Sequence, residues 1–155
     1  MQRERAPLPL LPGDATLDSS YFEQCLLDVA IATLERGGVT TRPSTYQFFD
    51  AVDAWGFPRY PSHTVILLPA ADLIAELRAF IQRNAALLDA PDCWLGTWIN
   101  PFTGCYYLDI TTSRVDLNEA CAMARQLSKA EGRKIVALYN SCRDLTFYLW
   151  DDVRS

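Results

Sequence analysis

Residues 94–110 read WLGTWINPFTGCYYLDI, and this stretch predicts a tight β-hairpin. Asn100 and Pro101 are typical of the start of a type I turn, because proline supplies the fixed φ of the second position. Gly104 can adopt the positive φ that returns the chain to the second strand. If Asn100 pairs with Cys105, the register places on the core side the opposed pairs Ile99 and Tyr106, Thr97 and Leu108, and Leu95 and Ile110.

The other side of the same hairpin carries the candidate binding residues. In this register Trp98 lies against Tyr107, Gly96 lies against Asp109, and Trp94 lies near Thr111. A slip of one residue would exchange the two sides. Two arrangements remain open for this second side: the N-terminal helices or arm cover it as core, or it is exposed as a protein-binding surface. The predicted protein-binding residues are Trp94, Trp98, Tyr107 and Asp109.

Composition sets limits on the class of protein. The chain has 155 residues, half of them apolar and 21% charged, which is typical of one folded globular domain. The formal net charge of −5 makes nucleic acid an unlikely partner, and it does not by itself indicate DNA mimicry. No apolar run reaches the roughly 18 residues of a membrane span, and five cysteines without a CxxC pair suit a reduced compartment. We therefore expect a cytoplasmic protein.

The N-terminal half is predicted to be helical. Residues 1–17 are rich in proline and charge and predict a flexible arm, so that residues 18–155 form a single α+β domain. Ser20 and Glu23 form a capping box that predicts a first helix ending at the glycine pair 37–38. A second capping box, Ser44 and Gln47, predicts a short helix over 46–55, with Phe48, Val52 and Trp55 on one face.

The remaining chain alternates between strands and helices. The β-branched run at 63–68 predicts a short strand, and the apolar stripe of 71–88 predicts a helix. A strand, turn, strand, helix, strand, turn, strand pattern follows, in which Asp116 and Gly132 mark the two ends of the helix. This ββαββ unit predicts an antiparallel sheet of about five strands, covered on one face by the N-terminal helices.

The sequence offers few residues for catalysis. His63 is the only histidine, so a histidine-dependent site must use it, and a hydrogen-bonded structural role is the simpler interpretation. The cysteines lack the paired spacing of structural zinc sites, and no nucleotide-binding or hydrolase motif is present. We predict neither a cofactor nor a metal. A small enzyme that uses His63 with a cysteine or a carboxylate remains an alternative, as does a small-ligand binder.

Four segments together resemble a family of small uncharacterised proteins carried by bacterial phages and mobile elements. They are GGVTTRP, LGTWINPFTGCYYLDIT, the helix in which Ala120 and Ala124 have A-x-x-x-A spacing, and IVALYN, and they span roughly residues 35–140. The chain departs from the family in its cysteines and in the turn NSCRD. The resemblance implies an accessory gene product and brings no activity with it. Our leading hypothesis is a non-catalytic protein that binds another protein as an inhibitor or accessory factor, with homo-oligomerisation left open.

Overall fold

The computed structural model describes residues 15–48 and 52–150, with side chains from residue 20 onward. Of the predicted arm, residues 1–14 lie outside the described residues, and residues 15–17 belong to the first helix. The helices are α1 (Ala15–Arg36), α2 (Leu73–Arg83), α3 (Ala85–Leu88) and α4 (Leu117–Glu131), with a short 3-10 helix at Pro61–His63. The strands are β1 (Gly38–Arg42), β2 (Gln47–Phe48), β3 (Trp55–Pro58), β4 (Val65–Leu67), β5 (Trp94–Ile99), β6 (Tyr106–Arg114), β7 (Ala137–Asn140) and β8 (Leu145–Tyr148).

The fold is α+β, as predicted, but its antiparallel sheet has eight strands among the described residues rather than five. The strand order is β2-β1-β5-β6-β3-β7-β8. Strands β4 and β3 both pair with β6: β4 pairs with its first residues, 106–108, and β3 with its last residues, 111–114. The ββαββ prediction is therefore only partly right, because β3 is inserted between β6 and β7. A single strand from the first half of the chain joins the two predicted hairpins.

The register predicted for the central hairpin is confirmed. Trp98 is opposite Tyr107, Gly96 is opposite Asp109, and the Asn100 amide donates to the Cys105 carbonyl at 3.0 Å. Within the turn, the Phe102 amide donates to the side chain of Asn100, and Gly104 has a φ of 76°. Local turn chemistry thus fixes which side chains share a face of the sheet.

The helix predicted over 46–55 is wrong. Gln47 and Phe48 instead form β2, which pairs with the end of β1, and Trp55 begins β3. Trp55 and Phe57 are both buried and alternate along β3, so the apolar period in this part of the chain is two rather than 3.6. Pairing of β2 with the neighbouring β1, and of β3 with the remote β6, overrides the local capping signal.

The other helix predictions are largely confirmed. Helix α1 begins at Ala15, five residues before the predicted cap, so Ser20 lies inside it because the helix continues upstream. Helix α2 is capped by Asp72, and the predicted run breaks at Asn84, whose side chain bonds the Phe80 carbonyl. Helix α4 is capped by Asp116 and ends at Gly132, as expected from their residue types.

The long helices cover one face of the sheet. Leu95, Leu108 and Ile110 are fully buried on this face in the core that contains residues of α1 and α2. Phe57, which pairs with Thr112 on the same face, belongs to a second core formed with α4. In the described part of the chain, no helix is both long enough and apolar enough to span a membrane.

The sheet curls strongly toward its other face. Tyr148 of β8 approaches Trp98 of β5, with ring centroids 6.3 Å apart, although three strands separate them in the sheet order. Neighbouring strands lie about 4.8 Å apart, so a flat sheet would hold these two residues roughly 19 Å apart. The curl makes this face concave, and it is the face that carries the candidate residues.

Candidate functional site

A cleft of about 80 Å³ lies on the concave face. Its lining includes Gly56 of β3 and Gly96 of β5, and Asp109 lies opposite Gly96 on β6. The volume suits a few water molecules or one end of a polar side chain rather than a nucleotide-sized cofactor.

Gly96 allows the side chain of Thr111 on β6 to lie close against β5. A Cβ atom added to Gly96 would overlap the Oγ1 atom of Thr111, which leans across from β6. Glycine in a strand interior often marks such a close approach of neighbouring groups. We infer that Gly96 is required for packing and that it also leaves the carboxyl group of Asp109 open to the cleft.

The structure brings all four predicted residues to the concave face. Trp98, Tyr107 and Asp109 line the cleft itself. Trp94, two residues before Gly96 on β5, lines a smaller neighbouring hollow. The guanidinium of Arg42 stacks on Trp94, 4.4 Å from its ring centroid. The sequence therefore predicted their shared position correctly, whereas their role in protein binding stays a prediction.

Four aromatic rings form a connected cluster at the mouth of the cleft, which we call the aromatic cluster: Trp98, Phe102, Tyr107 and Tyr148. The Trp98 and Tyr107 centroids are 5.1 Å apart, and those of Phe102 and Tyr148 are 5.4 Å apart. Both pairs have the edge-to-face geometry that aromatic rings favour. Phe102 is 51% exposed, so one ring of the cluster faces solvent.

The sequence left open whether the N-terminal helices cover the aromatic side of the hairpin, and in the described residues they do not pack on Trp98 or Tyr107 as core. Trp98 and Tyr107 are half-buried, and neither belongs to the hydrophobic cores formed with the helices. Their burial comes from the walls of the curled sheet. The sequence also allowed the N-terminal arm to cover this face. Residues 1–14 of that arm lie outside the described part of the chain.

Asp109 is the most strongly perturbed carboxyl group on this face. Burial raises its pKa from 3.8 to about 6, while a hydrogen bond from Thr64 and the nearby charge of Arg133 act in the opposite direction. The Thr64 hydroxyl donates to Asp109 Oδ1 at 2.5 Å. Arg133 directs its Nη1 atom to the Thr64 carbonyl at 2.6 Å. Among the described residues, Thr64 is the only hydrogen-bond partner of the Asp109 side chain.

Tyr139 lies at the β7 end of the cleft. Its hydroxyl donates to Asp144 at 2.9 Å, and burial, followed by this bond and the charge of Asp144, raises its pKa to about 12. Tyr139 is therefore a neutral hydrogen-bonding group at physiological pH and not a ready general base.

His63 is not among the described residues that line the cleft. Its Nδ1 atom is 3.0 Å from the side-chain oxygen of Asn84, and its ring packs edge-on against Tyr60. Within the described residues, no cysteine or carboxylate is hydrogen-bonded to it. The hydrogen bond expected of His63 is present, its structural role stays a prediction, and the alternative combination of His63 with a cysteine or carboxylate is not assembled in this geometry.

The five cysteines are unbridged and dispersed. Cys25, Cys93 and Cys121 are buried, Cys105 is half-buried and Cys142 is exposed. Burial is the main cause that raises the pKa of the Cys93 and Cys121 thiols, which makes them poor nucleophiles. In the described part of the chain, no three histidine, cysteine or acidic side chains gather as a metal site.

Sequence reasoning missed several residues of the cleft. Thr64 and Arg133 gave no local signal, because each reaches Asp109 only through the tertiary fold. Tyr148 could have been placed on the concave face from the period-two pattern of its strand, but its contact with Trp98 depends on the curl of the sheet. Phe102 was visible as an apolar residue in a turn.

No protein-family model matches the chain, and neither the curated proteins nor the solved structures provide a significant match.

Proposed function

We propose that this chain is a non-catalytic binding protein that docks another protein on the concave face of its sheet. The observation that carries the proposal is the aromatic cluster, which lies at the mouth of a cleft on a face that none of the described helices covers. By analogy with the phage and mobile-element proteins that the sequence resembles, the partner would be a host or element protein that this chain inhibits or assists.

Several properties of this surface suit a protein interface. Large aromatic side chains contribute much of the binding free energy at the centres of interfaces, where surrounding contacts exclude water. Ile66 pairs with Tyr107 across β4 and β6 and is 46% exposed, so it extends the apolar rim beside the cluster. The cleft within this rim gives a partner's side chain a place to enter.

A small-ligand binder is the second candidate, and Asp109 is the observation that favours it. A partly buried carboxyl group with a raised pKa in a cleft is a common feature of binding and catalytic sites. The small volume of the cleft favours the end of a side chain over a separate metabolite. We therefore rank protein binding first.

The test is affinity capture from the native host followed by mass spectrometry, with three variants compared with the wild type. Phe102→Ala and Trp98→Ala remove rings of the aromatic cluster, whereas Leu34→Ala removes a 60% exposed side chain on α1, across the sheet. We expect both aromatic variants to bind the captured partner at least about tenfold more weakly, while Leu34→Ala binds like the wild type.

Circular dichroism melts must accompany the capture, because Trp98 also packs against Tyr107 and Tyr148. Phe102 is the cleaner probe, since about half of its surface is exposed. Equal binding by wild type and a folded Phe102→Ala protein, together with weakened binding by Leu34→Ala, would place the interface on the helical side and reject the proposal.

A further inference from the structure

We propose that the cleft receives a cationic side chain, the guanidinium of an arginine on the partner protein, with Asp109 as its counter-ion and Trp98 and Tyr107 as its walls. This inference rests on the proposed function for the identity of the partner. The cation site itself is a property of this chain alone and can be measured without any partner.

The first support is the unmet hydrogen-bonding capacity of Asp109. An ionised carboxylate has about four acceptor positions on its two oxygens. Among the described residues it receives one hydrogen bond, from Thr64. A guanidinium presents several N–H donors in a plane and pairs with a carboxylate through two parallel bonds. A bound guanidinium would therefore donate hydrogen bonds to the acceptor positions of Asp109 that Thr64 does not use.

The second support is the chemistry of the walls. Trp98 and Tyr107 both line the cleft and pack edge to face with centroids 5.1 Å apart. The faces of aromatic rings attract cations, and arginine in particular stacks on tryptophan. The same chain already uses this interaction nearby, where Arg42 lies over the ring of Trp94. The aliphatic part of an arginine would at the same time cover the apolar rim.

The charges that already surround Asp109 do not complete the site. The Nη1 atom of Arg133 is directed to the Thr64 carbonyl, and Arg133 makes no hydrogen bond to Asp109. Lys134 also lines the cleft, but its ammonium lies over the ring of Trp150, 5.1 Å from the centroid. Tyr107 and Tyr139 complete the titratable lining of the cleft, and Tyr139 is neutral at physiological pH.

The experiment titrates the folded full-length protein with methylguanidinium chloride at constant ionic strength and follows amide shifts by NMR. We expect saturable shifts at Thr64, Asp109 and Gly96. The matched variant Asp109→Asn keeps the shape and the oxygen that faces Thr64 but loses the charge, so its affinity should fall at least about tenfold. Asp89→Asn, which changes an exposed carboxylate elsewhere, should bind like the wild type.

Two further arms identify the chemistry that is recognised. Lowering the pH from 7 to 5 should weaken methylguanidinium binding about tenfold, because protonation removes most of the ionised form of Asp109, whose pKa is about 6. Sodium acetate and acetamide replace the cation with an anion and a neutral amide, and neither should produce saturable shifts at the same amides.

Three results would overturn the inference. They are equal methylguanidinium binding by Asp109→Asn and the wild type, tighter binding of acetate than of methylguanidinium, and an absence of saturable shifts in the cleft. None of them bears on whether Phe102→Ala releases a captured partner, so the cation site and the protein-binding function can fail separately.

Discussion

Replacing Asp109 by asparagine should make the protein more stable at neutral pH, and the gain should depend on pH. Burial raises the pKa of Asp109 in the folded protein to about 6, from an ordinary value of 3.8. Between pH 3.8 and about pH 6, Asp109 is therefore protonated to a greater extent in the folded state than in the unfolded state. The contribution of Asp109 to stability is therefore fully present below pH 3.8 and is lost as the pH rises through about 6.

The size of the effect follows from the same two pKa values. A difference of about two pH units corresponds to about 3 kcal/mol, which is the upper limit if the carboxylate contributed nothing favourable in the cleft. The amide loses the attraction of Arg133 for the negative charge, and Asp109 retains some exposure to water. We therefore expect Asp109→Asn to raise the free energy of unfolding by about 1 to 2 kcal/mol at pH 7.5.

Urea unfolding followed by circular dichroism at pH 4, 5, 6 and 7.5 measures this difference. The advantage of Asp109→Asn should be smallest at pH 4, grow to about pH 6 and then level off. Asp89→Asn serves as the control, because Asp89 is exposed, and it should change the free energy of unfolding by less than about 0.5 kcal/mol. An advantage that is independent of pH, or a variant less stable than the wild type at pH 7.5, would refute the assignment of Asp109 as a buried, poorly compensated carboxylate.

The other predictions address packing, His63 and the thiols. Leu108→Ala should cost about 2 to 5 kcal/mol in thermal or urea unfolding, since Leu108 is fully buried, and a loss below about 1 kcal/mol would contradict its place in the core. Gly96→Ala should cost about 1 to 3 kcal/mol because the new methyl group overlaps Thr111, and adding Thr111→Ala should recover part of that loss; no recovery in this double-mutant cycle would show that the cost arises elsewhere. His63→Asn should leave partner binding largely intact, whereas lost function at an unchanged melting temperature would favour a catalytic role. A thiol reagent should modify Cys142 first in the native protein, and stoichiometric zinc or an intramolecular disulfide in protein purified without oxidant would contradict the expectation of reduced, metal-free cysteines.

The sequence by itself determined the elements whose signals are local. The turn residues Asn100 and Gly104 set the hairpin register, and that register alone placed Trp98 and Asp109 on the same face. Helix α4 was equally predictable, since an aspartate cap and a glycine stop act within a turn of the chain. In each case neighbouring residues satisfy the backbone, so distant parts of the chain are not needed to predict the outcome.

Only the tertiary structure decided the rest. Strand β3 pairs with β6 more than fifty residues away, and Trp55, which the local pattern assigned to a short helix, is the first residue of that strand. The same is true of the cleft: Thr64 reaches Asp109 because β4 pairs with β6, and Tyr148 reaches Trp98 because the sheet curls. Strand pairing and curl depend on contacts between residues that are remote in sequence, and a local pattern carries no information about which remote residues will meet.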